Sequence, residues 1–411
     1  MMRAYERLLD LVAYDTTSDE DAPESVSPST KKQLALADHL AEELKSLGFE
    51  GVRRDKFGYV YGFLPSNCGE GQPVVGLISH MDTSPAASGA NIRPRVVKNY
   101  GGGDIVLNRE KNIVLSPAEF GCLSGCKGMD LVVTDGTTLL GADDKAGISE
   151  ILTAAEALRE KNVPHGKIAV AFTPDEEIGR GTDHFDLEAF GADLAYTVDG
   201  GKLGELEYEN FNAAAATLTV RGVSTHPGDA KNKMRNAAVL GMEFHAMLPA
   251  AETPEHTEGY EGFYHLTRFT GCEETAELRY IVRDHDKAAF EARKAYLQHA
   301  ANYLNEKYGA GTFRLNLKDS YYNMKEIMEK HMDVVKRAEN AMRACGVEPK
   351  AVPIRGGTDG AMLSWKGLPC PNLPTGGYNY HSRFEFAAVQ EMDKMAEVLV
   401  ALVRKPGGER K

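Results

Sequence analysis

Two kinds of apolar pattern alternate along the first half of the chain. Short continuous apolar runs are typical of buried strands, whereas apolar residues spaced three and four positions apart are typical of amphipathic helices. The runs predict strands at 74–79, 138–142, 167–173 and 194–198, and the spaced patterns predict helices at 5–12, 34–44 and 146–161. This βα alternation predicts an α/β fold with a mainly parallel sheet sandwiched by helices.

The pattern changes after Gly204. Strand-like segments at 213–221, 263–270, 277–283 and 312–317 alternate with helix-like segments at 236–248 and 286–307. The resulting order, βαββαβ, is that of the ferredoxin-like α+β fold. We therefore expect residues 208–320 to form an inserted domain, with residues 1–207 and 321–411 forming the first domain. The tail, residues 405–411, is expected to be disordered.

Histidine or carboxylate residues follow every predicted strand of the first domain. His80 and Asp82 follow the first strand, Asp143 and Asp144 the second, Glu176 and Glu177 the third, and Asp199 the fourth, with His381 in the returning C-terminal part. Ligands of open α/β sheets bind outside the carboxyl ends of the strands, so these groups are expected to converge on one crevice. Two imidazoles with several carboxylates suit zinc, and the carboxylates suffice for two ions that share one of them. Taken alone, each residue also has an ordinary explanation as a buried histidine, an acidic helix N-terminus or a solvated loop.

Seven short motifs carry a resemblance to a known family. They are SHMDTSP, LLGADDKAG, AFTPDEEIG, YTVDGG, STHPG, IRGGTDGA and TGGYNYH. In this order they resemble the peptidase T family, the tripeptide aminopeptidases among the dinuclear zinc exopeptidases, over nearly the whole chain. The resemblance implies a zinc exopeptidase-like catalytic domain with an inserted lid, and an enzyme that removes the N-terminal residue from tripeptides.

The same resemblance implies two Zn²⁺ ions per chain. The implied ligands are His80, Asp143, Glu177, Asp199 and His381, with Asp143 shared by both ions. We pair His80 with Asp199 on one ion and Glu177 with His381 on the other. Co²⁺ or Mn²⁺ could replace zinc, because nitrogen and oxygen ligands discriminate poorly among first-row ions.

Two carboxylates beside the implied ligands have other implied roles. Glu176 resembles the general base of the family. Asp82 lies two residues after His80 and thus on the same face of a strand, where it can accept the ring N–H that a metal leaves free. By resemblance it orients His80 and is not a ligand. The resemblance also implies a cis peptide bond between Asp143 and Asp144.

Three residues outside this cluster are candidates for contact with the substrate. His226, in the motif STHPG, is by resemblance the donor to the oxyanion, although spacing alone favours an ordinary turn histidine. Arg283 and Arg355 are candidates to bind the free carboxylate of a short peptide, which calls for a bidentate and permanently charged donor. Arg283 could instead form a surface ion pair with Asp284 or Asp286.

Composition narrows the partners and the compartment. The net charge of −13 and the lack of a basic stripe argue against nucleic acid and anionic membranes as partners. No apolar run is long enough to span a bilayer. Six scattered cysteines form no disulfide framework and favour a reducing cytoplasm. By the resemblance, the implied partners are short peptides, mainly tripeptides, and a second copy of the chain that binds through the inserted domain.

Three alternatives remain open on the sequence. The same fold and metals could serve an amidase, deacylase or carboxypeptidase acting on acyl amino acids. A zinc-dependent binding protein without turnover is a second alternative, but it would have no use for a free carboxylate at Glu176. A single structural metal is the third, and it predicts about one ion per chain where the family implies two.

Overall fold

The computed structural model describes residues 1–405, and the chain divides into two units. Unit 1 contains residues 1–208, 327–352 and the chain from 358 onward, and unit 2 contains residues 209–326 and 353–357. Residues 406–411, most of the tail expected to be disordered, lie outside the described residues. Within the described part of the chain, no helix has the length and apolar character needed to cross a membrane.

All but one of the predicted elements are present and follow one another in the expected order, with additional strands and helices between and after them. The first part of unit 1 contains α1 (Ala4–Leu11), α2 (Gln33–Ser46), β1 (Glu50–Arg54), β2 (Val60–Leu64), β3 (Val75–His80), β4 (Arg95–Val97), β5 (Ile105–Asn108), β6 (Ile113–Leu115), β7 (Leu131–Val133), α3 (Ala142–Glu160), β8 (Ile168–Thr173), α4 (Leu187–Phe190), β9 (Leu194–Gly200) and β10 (Glu205–Leu206). Next come β11 (Asn212–Arg221), α5 (Ala237–Ala246), β12 (Phe263–Gly271), β13 (Thr275–Asp284), α6 (Lys287–Tyr308) and β14 (Phe313–Tyr321). The chain ends with α7 (Lys325–Met328), α8 (Met332–Ala344), β15 (Lys350–Ala351), α9 (Asp359–Trp365), β16 (Asn372–Pro374), β17 (Gly377–Tyr378), β18 (Phe386–Ala388) and α10 (Val389–Val403).

The central sheet of unit 1 has the strand order β1-β2-β8-β3-β9-β16. Strand β2 is antiparallel to both of its neighbours, whereas β8, β3, β9 and β16 pair in parallel, so every strand except β2 runs the same way. Helices α2, α3 and α10 cover one face of this sheet, and α4 and α9 cover the other. A parallel sheet buried on both faces explains why its strands are continuous apolar runs. The predicted α/β sandwich is confirmed.

One predicted strand is wrong. Residues 138–142 form no strand: the chain turns at Gly141, where φ is 78°, and enters α3 directly. Leu139 and Leu140 are nevertheless buried, because packing under other elements can bury an apolar run in any backbone conformation. Asp143 therefore reaches the crevice from the irregular first turn of a helix and not from the end of a strand.

Unit 2 is a four-stranded antiparallel sheet of order β12-β13-β11-β14 with two helices on one face. Its core joins apolar residues of the sheet to α5 and α6, including Leu218, Leu278, Phe244 and Phe290. The side chains of Asn236 and Asp286 cap the two helices at the positions where the patterns predicted them to begin. The βαββαβ order and the strand order together confirm the ferredoxin-like prediction.

Candidate metal centre

The carboxyl ends of β8, β3 and β9 lie side by side in unit 1. His80 is the last residue of β3 and pairs in register with Thr173, the last residue of β8. Asp199 lies near the end of β9, on the other side of β3. Glu176 and Glu177 follow β8 in a single 3-10 turn. Parallel pairing thus gathers imidazole and carboxylate groups from separate parts of the chain at one edge of the sheet.

Asp143 lies between two histidines. Its Oδ1 is 2.9 Å from His80 Nε2, and its Oδ2 is 3.2 Å from His381 Nε2. His80 Nε2 is also 3.4 Å from Asp199 Oδ1, and His381 Nε2 is 2.7 Å from Glu177 Oε2. The two oxygens of one carboxylate therefore face two separate histidine–carboxylate pairs. This is the arrangement that a carboxylate shared by two cations requires.

Asp144 lies beside this cluster but has its oxygens occupied. Ser79 Oγ makes a short hydrogen bond to Asp144 Oδ2, which also accepts the backbone N–H of His80 at 3.2 Å, and Oδ1 accepts the N–H of Gly147 at 3.3 Å. Two groups of side chains bring their possible ligand atoms to within 4.8 Å of each other. One group is His80, Asp143 and Glu177, and the other is His80, Asp144 and Asp199. The oxygens of Asp143 are less engaged by the protein, which favours it as the shared ligand. The peptide bond between Asp143 and Asp144 is cis, so that expectation is confirmed.

Asp82 is buried behind the cluster and holds two segments together. Its Oδ1 lies 3.4 Å from His80 Nδ1, the ring nitrogen that faces away from the other carboxylates. The same carboxylate accepts the backbone N–H groups of Glu176 at 3.0 Å and of Glu177 at 3.2 Å. The backbone carbonyl of Asp82 lies closer still to His80 Nδ1, at 3.1 Å. Asp82 thus contacts both the His80 ring and the turn that carries the two glutamates, and the sequence pattern indicated only the contact with His80.

Two further buried carboxylates support the site, and sequence reasoning missed both. Asp175 accepts three hydrogen bonds, from the backbone and hydroxyl of Ser29 and from the side-chain amide of Gln33. Asp359 accepts one from the hydroxyl of Thr173 at 2.7 Å. Their position inside the motifs AFTPDEEIG and IRGGTDGA was the only signal in the sequence. Both hold the segment that leads from β8 into the two glutamates.

The cluster brings several buried carboxyl groups close to only two histidines, and this shifts their pKa values. Burial raises the pKa of Glu177 to about 8 and that of Asp199 to about 6, and it raises the pKa of Glu176 well above its usual range. Burial acts in the same direction on Asp143, but hydrogen bonds from His381 and His80 lower its pKa overall. Hydrogen bonds to Asp143 and Glu177 raise the pKa of His381 to about 10. Bound cations would favour the ionised form of these carboxylates, because metal ligands must be deprotonated.

His226 is exposed and lies in unit 2. Its Nδ1 accepts the backbone N–H of Gly228 at 3.1 Å, in the short turn after Pro227. In the neutral ring the other nitrogen, Nε2, then carries the proton and is available as a donor. The structure thus places His226 in a turn, as spacing alone suggested.

Arg283 lies near the end of β13 in unit 2 and is half-buried. Its Nη1 donates to the carbonyl of Arg355 at 2.8 Å, while its Nε is buried with no hydrogen-bond partner among the described residues. The alternative ion pairs do not form: Asp284 binds Arg293 at 2.7 Å, and Asp286 caps α6. A buried and unsatisfied guanidinium N–H is costly unless a ligand or water accepts its hydrogen bond.

Arg355 is engaged within unit 2. Its guanidinium donates to the backbone carbonyls of Thr257, Gly259 and Glu261. It also lies over the rings of Phe211 and Phe263, with its Cζ 5.0 and 5.6 Å from the ring centroids. These contacts tie down the loop before β12. Both terminal nitrogens of Arg355 donate hydrogen bonds within unit 2, whereas Arg283 keeps one guanidinium nitrogen without a partner among the described residues, so the geometry favours Arg283.

Comparison with known proteins identifies relatives over the whole length. The family model described as the peptidase dimerisation domain matches residues 208–312. Peptidase T of Caldanaerobacter subterraneus subsp. tengcongensis is 53% identical over 408 residues, which is 99% of each chain. Peptidase T of Halothermothrix orenii is 54% identical over 404 residues, which is 98% of each chain.

Solved structures of the same fold are also similar to this chain. Aminopeptidase PepT from Bacillus cereus has a TM-score of 0.75 and 25% sequence identity, covering 98% of this chain and 97% of that one. A tripeptidase from Staphylococcus aureus has a TM-score of 0.74 at 21% identity, with the same coverage. A dinuclear metal-binding peptidase of the M20 family from Bacillus subtilis has a TM-score of 0.63 at 14% identity and covers 97% of each chain, so it shows the fold alone.

Proposed function

Since the chain belongs to the peptidase T family and is therefore a peptidase, we propose that it is a dinuclear zinc aminopeptidase that removes the N-terminal residue from tripeptides. The observation that carries the proposal is the position of Asp143, whose two oxygens face His80 and His381 at 2.9 and 3.2 Å. A single structural metal would not need a carboxylate directed to both sides.

The donor set fits the metal chemistry. In the proposal, His80 and Asp199 hold one ion, Glu177 and His381 hold the other, and Asp143 is bound by both. One nitrogen and two carboxylates at each position suit zinc, and Co²⁺ or Mn²⁺ would be tolerated. When bound, the two ions supply a Lewis acid for the substrate carbonyl and lower the pKa of water.

Glu176 is the proposed proton carrier. Its backbone N–H is fixed by Asp82, and its Oε2 lies 3.9 Å from His80 Nε2, beside the cluster but outside the pairs formed around Asp143. Burial raises its pKa, which makes the carboxylate a stronger base than an exposed glutamate. It would take a proton from the attacking water and return it to the departing amine.

His226 is the proposed donor to the oxyanion, and its replacement tests that role. His226→Ala is expected to lower kcat on a tripeptide by about 10²–10³-fold with a much smaller rise in KM, because the donor would act only in the transition state. Steady-state kinetics measure both constants. His299→Ala, which removes another exposed histidine of unit 2, is the matched control and should leave both unchanged. An unchanged kcat in His226→Ala would remove the residue from the mechanism.

Arg283 is the proposed donor to the substrate carboxylate, a role that would restrict the enzyme to short peptides. Arg283→Ala is expected to raise KM for a tripeptide by about 10-fold or more while scarcely changing KM for its C-terminal amide, since only the acid offers a charge to pair. Arg279→Ala, on the same strand and paired with Glu277, is the control. Arg355→Ala should affect both substrates together through the loop that it holds. Equal losses on acid and amide in Arg283→Ala would exclude carboxylate recognition by this residue.

Product analysis on one metal-loaded preparation tests the proposed function as a whole. Unblocked di-, tri- and tetrapeptides are compared with an N-acetylated amino acid, and the zinc content of the same sample is measured. The proposal expects release of the N-terminal residue, preference for the tripeptide and two zinc ions per chain. Hydrolysis of only the acetylated compound would favour an amidase or deacylase, and one zinc without turnover would favour a structural metal.

A homodimer and a cytoplasmic location complete the proposal. The match of residues 208–312 to a dimerisation domain supports association of two copies through unit 2. All six cysteines lie in the described part of the chain and none is in a disulfide, which supports a reducing compartment. Light scattering of the purified protein would test the first statement, with a monomer mass as the contrary result.

A further inference from the structure

Glu385 is a buried carboxylate of unit 1 that the proposed chemistry does not use. It follows His381 by four residues, and only 1% of its surface is exposed. Its Oε2 accepts the backbone N–H groups of Leu140 at 2.7 Å and Gly141 at 2.9 Å, and its Oε1 accepts the N–H of Asp143 at 3.0 Å. One side chain therefore satisfies three N–H groups of the segment that carries Asp143.

The backbone around Asp143 needs such a partner. The first N–H groups of a helix have no acceptor within the helix, and a buried N–H without any partner destabilises the fold. Gly141 has φ of 78°, and Asp143 has ψ of 104°, so this turn is too irregular to satisfy its own N–H groups. Glu385 replaces the missing acceptors and fixes the direction in which the Asp143 side chain leaves the backbone.

Glu385 is close in the chain to His381, so its hydrogen bond to the Asp143 backbone also connects these two proposed ligands. The loop of residues 381–385 begins with His381 and ends with the carboxylate that binds the Asp143 backbone. His381 and Asp143 are thus linked twice. One link is the short loop that leads from His381 to Glu385 and through it to the Asp143 backbone, and the other is the 3.2 Å contact between His381 Nε2 and Asp143 Oδ2. Any shift of Glu385 would move the histidine and the shared carboxylate relative to one another.

We infer that Glu385 is a positioning residue that sets Asp143 and His381 at the separation needed for metal binding. Its three hydrogen bonds are all to backbone N–H groups, those of Leu140, Gly141 and Asp143, and it acts through them. The inference rests on the proposed metal site. Partners of this kind behind metal ligands typically contribute a factor of ~10–100 to metal affinity.

Two variants separate geometry from charge. Glu385→Gln keeps the size of the side chain but turns an NH₂ group toward at least one of the three N–H donors. Glu385→Asp keeps the charge but is shorter by one methylene and cannot reach all three. Both variants are expected to lower zinc affinity by about 10–100-fold in competition with a chromophoric chelator. If the carboxylate contributed only its negative charge, Glu385→Asp would bind zinc as the wild type does, and the inference would be overturned.

Glu150→Gln is the matched control. Glu150 is another fully buried carboxylate of unit 1, on α3, and neither of its oxygens has a hydrogen-bond partner among the described residues. Its replacement should leave zinc affinity unchanged. Burial raises the pKa of Glu385 to about 7, so the titrations are done above that value, where the carboxylate is ionised.

Amide hydrogen exchange on the metal-free proteins provides a readout that does not depend on metal or activity. The amides of Leu140, Gly141 and Asp143 are expected to exchange faster in Glu385→Gln than in the wild type, while those of β8 stay protected. Unchanged exchange at these amides, or wild-type zinc affinity in Glu385→Gln, would refute the positioning role. Wild-type protein that binds no zinc would instead refute the proposed metal site, so the two failures are distinguishable.

Discussion

Glu176→Gln is expected to retain both metal ions while kcat on a tripeptide falls by about 10²–10⁴-fold, the usual contribution of a general base. The substitution removes the proton acceptor but keeps the side-chain volume. The backbone N–H of residue 176 would still bind Asp82, so the turn after β8 is preserved. Zinc content by atomic absorption and kcat on one sample measure the two effects separately.

Glu177→Gln is the natural control for this variant, because it makes the same chemical change at the next residue. Glu177 Oε2 lies 2.7 Å from His381 Nε2 and is a proposed ligand, so this variant should lose metal together with activity. The contrast between the two neighbours is the test. If Glu176→Gln lost as much zinc as Glu177→Gln, the roles assigned to the two glutamates would have to be exchanged.

Asp143→Ala is expected to reduce bound zinc from two ions per chain to almost none. Unit charges 4 Å apart interact with about 4 kcal/mol at an effective dielectric constant of 20, and two dications repel four times as strongly. An anion between them is therefore a condition for double occupancy. Asp143 is the carboxylate with one oxygen directed to each histidine, so its loss should affect both positions and not one.

Equilibrium dialysis against zinc, followed by metal analysis, measures this loss. Asp183→Ala, at an exposed aspartate of unit 1, removes the same charge from the chain without touching the cluster and should retain two ions. Retention of two zinc ions by Asp143→Ala would mean that Asp144 or another group holds them. The proposed ligand set would then be wrong.

Much of the fold could be predicted from local patterns. Strands β3, β8 and β9 are continuous apolar runs, and all four strands and both long helices of unit 2 fall within a few residues of the predicted bounds. Such patterns are reliable because burial on both faces of a parallel sheet requires a continuous apolar run, and burial on one face of a helix requires apolar residues three and four positions apart. Residues 138–142 were mistaken for a strand because an apolar run that is buried under other elements has the same composition.

The contacts of Arg355 and Glu385 could not be predicted. Nothing local indicates that the guanidinium of Arg355 would be held by carbonyls of residues 257–261, almost one hundred positions earlier in the chain. Glu385 bonds residues more than 240 positions away, and its only local signal is a single acidic residue between Phe384 and Phe386. Both are polar side chains whose partners are backbone groups, and a backbone group carries no signature in the sequence.

The sequence by itself determined most of the element order, the change of pattern after Gly204 and the types of residue in the cluster, because these depend on neighbours in the chain. Only the tertiary structure decided that the two oxygens of Asp143 face different histidines. It also decided that Asp144 accepts a hydrogen bond from Ser79 and that Asp82 accepts one from the backbone of Glu176. The physical reason is that a ligand site depends on distances of a few ångströms between atoms that are distant in the chain. Strand pairing, the irregular start of α3 and buried hydrogen bonds fix those distances, and all three arise only when the whole chain has packed.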